Sequence, residues 1–171
     1  MPATPEDLLA RLDELGISHE THHHVAVFTV EEAQEHTGHL PGGHCKNLFL
    51  KDKSGDLYLV VCLQETAVDL KAFRPLVGAK NLSFGKPDLL YETLGVEPGS
   101  VTPFALINDR ERVVEVILEK RMMDHEYLNY HPLINTMTTR ITPAGLQTFI
   151  DACGHRTRVL ELPERQIADA S

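Results

Sequence analysis

Residues 46–63 read KNLFLKDKSGDLYLVVCL, and this stretch decides the fold. Two β-rich runs, residues 46–51 and 57–63, flank Asp52-Lys53-Ser54-Gly55-Asp56. A short polar connection containing glycine between two such runs predicts an antiparallel hairpin. Upstream, Gly38, Pro41, Gly42 and Gly43 make residues 37–44 a loop. Before that, Thr29-Val30-Glu31-Glu32 is a capping box that opens a short helix reaching about Thr37. Residues 19–28 pass from polar to apolar and read as extended. Thr4-Pro5-Glu6-Asp7 supplies an N-cap, a proline at the first helical position and first-turn acids. Leu8, Leu9, Leu12 and Leu15 then share one helical face, and Gly16 ends the helix.

Downstream of the hairpin, residues 68–77 predict a helix closed by Gly78, residues 81–84 a short strand, and residues 87–94 a helix closed by Gly95. Residues 97–103 form a loop with two prolines. Residues 104–107 and 113–118 read as a second hairpin around Asn108-Asp109. A strand over 136–141 follows, then a helix capped by Thr142-Pro143 that runs to Cys153. A last strand is expected over 158–162, with a frayed end after Pro163. Helices and strands alternate, but the hairpins make the sheet mixed. The expectation is one α/β domain over residues 1–165, a mixed, strongly curved sheet surrounded by helices, with a tail at 166–171. No Rossmann or Walker glycine pattern occurs, so a nucleotide cofactor has no support.

The composition bounds the function. The chain has 171 residues, one domain's worth, with 42% apolar and 24% charged residues. No apolar run approaches the ~20 residues of a membrane span. The N-terminal stretch is acidic and amphipathic, unlike a signal peptide. Cys45, Cys62 and Cys153 are odd in number and widely spaced, which argues for a reducing, cytoplasmic setting rather than a disulfide framework. Net charge is −9, but unevenly spread: residues 1–43 carry −7, residues 44–86 carry +3 and residues 87–171 carry −5. A basic middle in an acidic protein fits contact with a short piece of phosphate backbone, or simply solvated lysines on a hairpin. Broad binding of duplex DNA needs a larger basic footprint.

Several residues have the chemistry for a site. His19, His22 and His24 lie close in sequence, but no HExxH or CxxC spacing accompanies them, so surface histidines on an edge strand are the plainer reading. Cys45 beside His44 could be a nucleophile, yet a free cysteine entering a strand is more simply buried. Lys46 enters an apolar strand after a glycine turn. It either faces solvent or points into a cleft, offering a fixed cation to a phosphate or a developing oxyanion. The segment 99–103, with Gly99, Ser100, Val101 and Pro103, can present backbone N–H groups to a carbonyl, or be only a connection. In Asn129-Tyr130-His131-Pro132, His131 could orient water or bond a ribose; the alternative is a capped turn.

Taken together, Lys46-Asn47-Leu48-Phe49-Leu50, the segment 99–103 and Asn129-Tyr130-His131-Pro132-Leu133-Ile134-Asn135 resemble the YbaK/prolyl-tRNA-synthetase-associated domain superfamily. The resemblance covers residues 5–162. With the run Phe104-Ala105-Leu106-Ile107-Asn108-Asp109, it looks most like the freestanding, alanine-specific branch, PrdX or ProXp-ala. It implies the editing-domain fold and trans-editing: hydrolysis of the ester of mischarged alanyl-tRNA(Pro), without a cofactor. It implies Lys46 as the catalytic residue, and Gly99, Ser100, Val101, Pro103, Asn129 and His131 as substrate contacts. The implied partners are the acceptor end of mischarged tRNA and prolyl-tRNA synthetase, with neither duplex DNA nor a membrane. The expected pocket is small and lined by Val25, Phe28 and Leu48. The task has a physical rationale, since an apolar site discriminates a missing methylene by only ~1–3 kcal/mol, and a second, smaller sieve corrects the error. Two other classes stay open: a non-catalytic homologue that binds aminoacyl-tRNA or nucleic acid, and a histidine-based metallohydrolase.

Overall fold

In the computed structural model, residues 1–166 are described. The expected hairpin forms: β2 (Gly43–Asp52) and β3 (Leu57–Leu63) pair antiparallel, Cys45 opposite Leu63 and Lys51 opposite Leu57. Asp52 makes the turn by accepting from the Ser54 and Asp56 N–H groups, both at 2.9 Å. Strand alternation divides the core. Leu59, Val61 and Leu63 of β3 face one cluster, and Tyr58, Val60 and Cys62 face the other. A strand buried on both faces accounts for the unbroken apolar run LYLVVCL.

Around this hairpin lie β1 (His19–His23), β4 (Leu82–Phe84), β5 (Val114–Glu119), β6 (Leu128–Tyr130), β7 (Met137–Ile141) and β8 (Thr157–Leu160). The strand order is β1-β7-β6-β2-β3-β5-β8, with β4 also on β2. Pairs β2/β6, β3/β5 and β5/β8 are parallel and the others antiparallel, so the sheet is mixed as expected. The larger core takes Leu8 and Leu12 from α1 (Pro5–Glu14), Leu90 and Leu94 from α4 (Pro87–Leu94), and Phe149 from α5 (Pro143–Ala152). The smaller takes Phe73 from α3 (Leu70–Val77). Helix α2 (Val30–Thr37) is capped by Thr29, whose hydroxyl accepts from the Glu32 N–H.

Three expectations need correction. Residues 104–107 are not a strand: Pro103–Asn108 is a 3-10 helix, so there is no hairpin there. Proline suits the first helical position, and Thr102 caps it by accepting from the Phe104 N–H. Asp109 then accepts from the N–H groups of Val113 and Val114 and pairs with buried His155 at 2.8 Å, which anchors the start of β5. Asn129 lies within β6 rather than in a turn. The chain after Pro163 is pinned: Asp69 N–H donates to the Pro163 carbonyl, Arg165 N–H donates to that of Ala67, and Val68 bridges Glu164. Of the expected tail, residues 167–171 lie outside the described residues.

Candidate functional site

Strand β2 has β3 along one side. On its other side β6 pairs only with Gly43 and His44, and β4 only with Leu50, Lys51 and Asp52. Among the described residues, 45–48 therefore have no strand on that edge. A hollow of about 160 Å³ opens at the gap, lined among others by Phe28, Lys46, Asn47, Gly99, Val101 and His131. Beside it a recess of about 30 Å³ shares Cys45, Asn47 and His131 and adds Asn129 and Thr138. That volume holds only about two water-sized groups.

Several contacts fix the walls. Gly42, at φ 103°, lies so close to Tyr127 that a Cβ would sit 2.7 Å from its carbonyl oxygen. Its neighbour Gly43 donates its N–H to that carbonyl at 2.7 Å, bringing the start of β2 to β6. Asn135 donates to the Val27 carbonyl at 3.0 Å and holds residues 24–28 against the loop after β6. That loop contains Leu133 at φ 70°, a left-handed conformation costing leucine about 1–2 kcal/mol. Packing of Leu133 on the larger core offsets this.

The polar groups at the gap are incompletely paired. Asn47 donates to the Val101 carbonyl at 3.1 Å, and Asn129 donates to the carbonyls of Pro41 and Gly43. These carbonyl partners fix which end of each amide is nitrogen. The two amide oxygens are buried and have no hydrogen-bond partner among the described residues. His131 Nδ1 lies 3.0 Å from the Met137 carbonyl. Only N–H can bond there, so in the neutral ring Nε2 carries the free lone pair. Burial holds the His131 pKa below its ordinary value, the Met137 carbonyl opposes, and His24 adds to the lowering. The His24 ring centroid is 6.2 Å from that of His131.

Alternation places Lys46 opposite Cys62, on the face of Leu48 and Leu50, while Cys45 and Asn47 take the other face. The hollow straddles the unpaired edge, so both faces line it. Burial pushes the Cys62 thiol up to about 12, and Lys46 is the first influence opposing that rise. Cys45 is also pushed up to about 12, chiefly by burial, which leaves it a thiol rather than a nucleophilic thiolate. Among the described residues no group of three or more His, Cys, Asp or Glu side chains is placed to hold a metal.

Of the residues singled out in the sequence, Lys46, Gly99, Val101 and His131 share the hollow, and Asn129 joins His131 at the recess. Ser100 and Pro103 do not line it. Ser100 is buried with its N–H donated to the Glu97 carbonyl at 2.8 Å, and Pro103 is buried and has no N–H to offer. Of the expected apolar lining only Phe28 is present. Val25 points outward at 59% exposed, Val27 replaces it, and Leu48 packs on the smaller core. Sequence reasoning missed Asn47 and Gln64, which line both the hollow and the recess. A polar residue inside the apolar run 46–51 was the available signal for Asn47; nothing local marked Gln64.

The sequence and the fold have known counterparts. Residues 24–149 match the model of the aminoacyl-tRNA editing domain, and the chain belongs to that family. It is 38% identical over 162 residues to prolyl-tRNA synthetase associated domain-containing protein 1 of Danio rerio, spanning 91% of this chain and 88% of that one. It is 33% identical over 156 residues to the prolyl-tRNA editing protein ProX of Acetoanaerobium sticklandii, spanning 91% and 95%. The fold matches a crystal structure described as a candidate trans-editing enzyme for prolyl tRNA synthetase, with TM-score 0.71 and 19% identity over 95% of this chain and all of that one.

Proposed function

We propose that this protein is a trans-editing aminoacyl-tRNA deacylase that hydrolyses the ester of alanyl-tRNA(Pro). It works in the cytoplasm on the acceptor end of mischarged tRNA, as released by prolyl-tRNA synthetase. The observation that carries this reading is the recess of about 30 Å³ beside the hollow. On this reading a methyl side chain and an amino group enter the recess, and a pyrrolidine ring is too large for it. The unpaired oxygens of Asn47 and Asn129 are acceptors of the kind an α-ammonium needs. The names of the relatives, which concern prolyl-tRNA editing and association with prolyl-tRNA synthetase, support the choice of tRNA.

An aminoacyl ester is already activated, so positioned water and a stabilised oxyanion suffice. Water attacks the carbonyl carbon, the carbonyl oxygen takes the negative charge, and the ribose oxygen leaves with a proton. Lys46 supplies the cation near the ester. The backbone donors of Gly99 and Val101 face the carbonyl, while that of Ser100 is already engaged. The bare Nε2 of His131 accepts a hydrogen bond from the water or the amine.

The test is a deacylation panel with alanyl-, cysteinyl-, seryl- and prolyl-tRNA. Alanyl-tRNA is cleaved well above the buffer rate and prolyl-tRNA is spared. Lys46→Ala lowers kcat/KM about 100-fold, the scale of losing one oxyanion-stabilising group, with little change in melting temperature. No cleavage of any substrate in the panel overturns the enzymatic reading. A gel shift of alanyl-tRNA without release of alanine replaces it with a binding module.

A further inference from the structure

The edge of β2 that is open at the hollow continues to β4, and there the surface changes character. A groove of about 510 Å³ is lined by Lys51, Lys53, Phe84, Lys86 and Leu89, with Asp52 as its only carboxylate. Asp52 is buried, its oxygens accept from the N–H groups of Ser54, Asp56 and Lys80, and it forms no ion pair with the lysines, so the groove keeps three positive side chains against one negative. Among the described residues, none of the seven Lys and Arg side chains of 44–86 forms an ion pair. Of the nine elsewhere, five do: Arg11, Lys120, Arg121, Arg140 and Arg158. In a protein of net charge −9, three unpaired lysines around one groove are a marked local excess. Beside them the Phe84 ring is 63% exposed on a three-residue edge strand.

Exposed cations beside an exposed aromatic ring suit a single nucleic-acid strand. The lysines meet phosphates, and the ring gives a base a face on which to stack. Resting on the deacylase reading for the identity of the RNA, we propose that this groove docks the tRNA acceptor strand. Lys51, Lys53 and Lys86 hold its phosphates, and Phe84 stacks on one of its bases. The spacing agrees. Along the strand axis Lys46 and Lys51 are five residues apart, about 16 Å, roughly the rise of five stacked nucleotides at ~3.4 Å each; the odd spacing puts the two lysines on opposite faces of β2, so the RNA passes round the edge left open at residues 45–48. An ester held at Lys46 therefore brings the unpaired 3′ end and the first base pair to the lysines.

The experiment uses an uncharged, fluorescent RNA hairpin with a single-stranded CCA end, and reads its affinity by anisotropy across a salt series. The variants are Lys51→Ala/Lys53→Ala/Lys86→Ala and Phe84→Ala, all at exposed positions. The triple variant binds at least about tenfold more weakly, and its log–log salt dependence is shallower by about 2, at ~0.7 for each phosphate no longer neutralised. Phe84→Ala weakens binding about tenfold with the salt slope unchanged. In turnover, the triple variant raises KM for alanyl-tRNA and leaves cleavage of an alanyl ester of adenosine unaltered. Wild-type affinity and slope in the triple variant overturn the groove and leave the deacylase standing, as does loss of the small ester in step with the tRNA. Wild type that cleaves neither substrate overturns the deacylase, and the hairpin titration still decides the groove.

Discussion

Two buried polar clusters lie at opposite sides of the end of β3, and they are paired to different degrees. At one, Glu119 is 2% exposed and its carboxylate accepts from the Leu63 N–H at 2.9 Å and from the Thr66 hydroxyl at 2.8 and 3.0 Å. Arg121 reaches Thr66 and Glu164 and lies 3.6 Å from Glu119. This cluster binds the end of β3, the end of β5 and the C-terminal segment into one piece. At the other, Asn47 and Asn129 spend their donors on main-chain carbonyls and leave their oxygens unpaired, and His131 leaves Nε2 bare. Unpaired buried acceptors cost stability, so their place beside a hollow is where function is to be sought. The first cluster holds the fold, and on the proposed function the second is the one that meets substrate.

Glu119→Ala breaks this comparison most forcefully. It leaves the buried Leu63 N–H and Thr66 hydroxyl without a partner and removes the carboxylate facing Arg121. The expected loss is about 3 kcal/mol, or roughly 6–12 °C in melting temperature for a domain of this size. The protein that remains folded at low temperature keeps its kcat/KM within about threefold. A variant that melts like wild type would show that saturation of this cluster contributes little.

Asn129→Ala is the converse. It forfeits two hydrogen bonds to carbonyls, so some stability is lost, about 1–2 kcal/mol. Its larger mark is on turnover, where kcat/KM for alanyl-tRNA falls at least about tenfold, because an acceptor for the amino group is gone. Steady-state kinetics at a temperature well below melting separates the two effects. Wild-type kcat/KM in this variant would mean that the unpaired oxygen does not meet substrate.

The two clusters also differ in how far the sequence announced them. The hairpin around residues 52–56 and the five helices were legible because each rests on local signals: alternating apolar runs, capping residues, and a glycine or proline at the right place. Lys46, the segment 99–103 and His131 were legible as chemistry, but their meeting depends on where β2 loses one partner strand before gaining the next. No local pattern states that. Strand β6 was missed since three residues, Leu128, Asn129 and Tyr130, are too few to show a period. The segment 104–107 misled because Phe104, Ala105, Leu106 and Ile107 are apolar in either a strand or a buried 3-10 turn; Pro103 and Thr102 were the arbiters. Ser100 fails as a donor for a reason invisible in sequence, its N–H being already used inside the turn. Glu119 carried no signal at all, since only tertiary placement shows it to be buried.

The smallest expected effect concerns His131, and pH reads it. Its pKa is lowered from 6.5, first by burial, so the folded protein binds this proton less readily than the unfolded chain. Between the lowered value and 6.5 the unfolded state holds more protons, and the stability slope with pH is therefore positive. The contribution is complete above pH 6.5 and is lost as pH falls through that window. Activity follows the same direction for a separate reason. Protonation puts a hydrogen on Nε2 and removes the lone pair that faces water or amine. The acid limb of kcat/KM should have its midpoint below 6.5, and His131→Gln, which retains a donor and an acceptor without titrating, should abolish that limb. An unchanged limb in His131→Gln would assign it to another group.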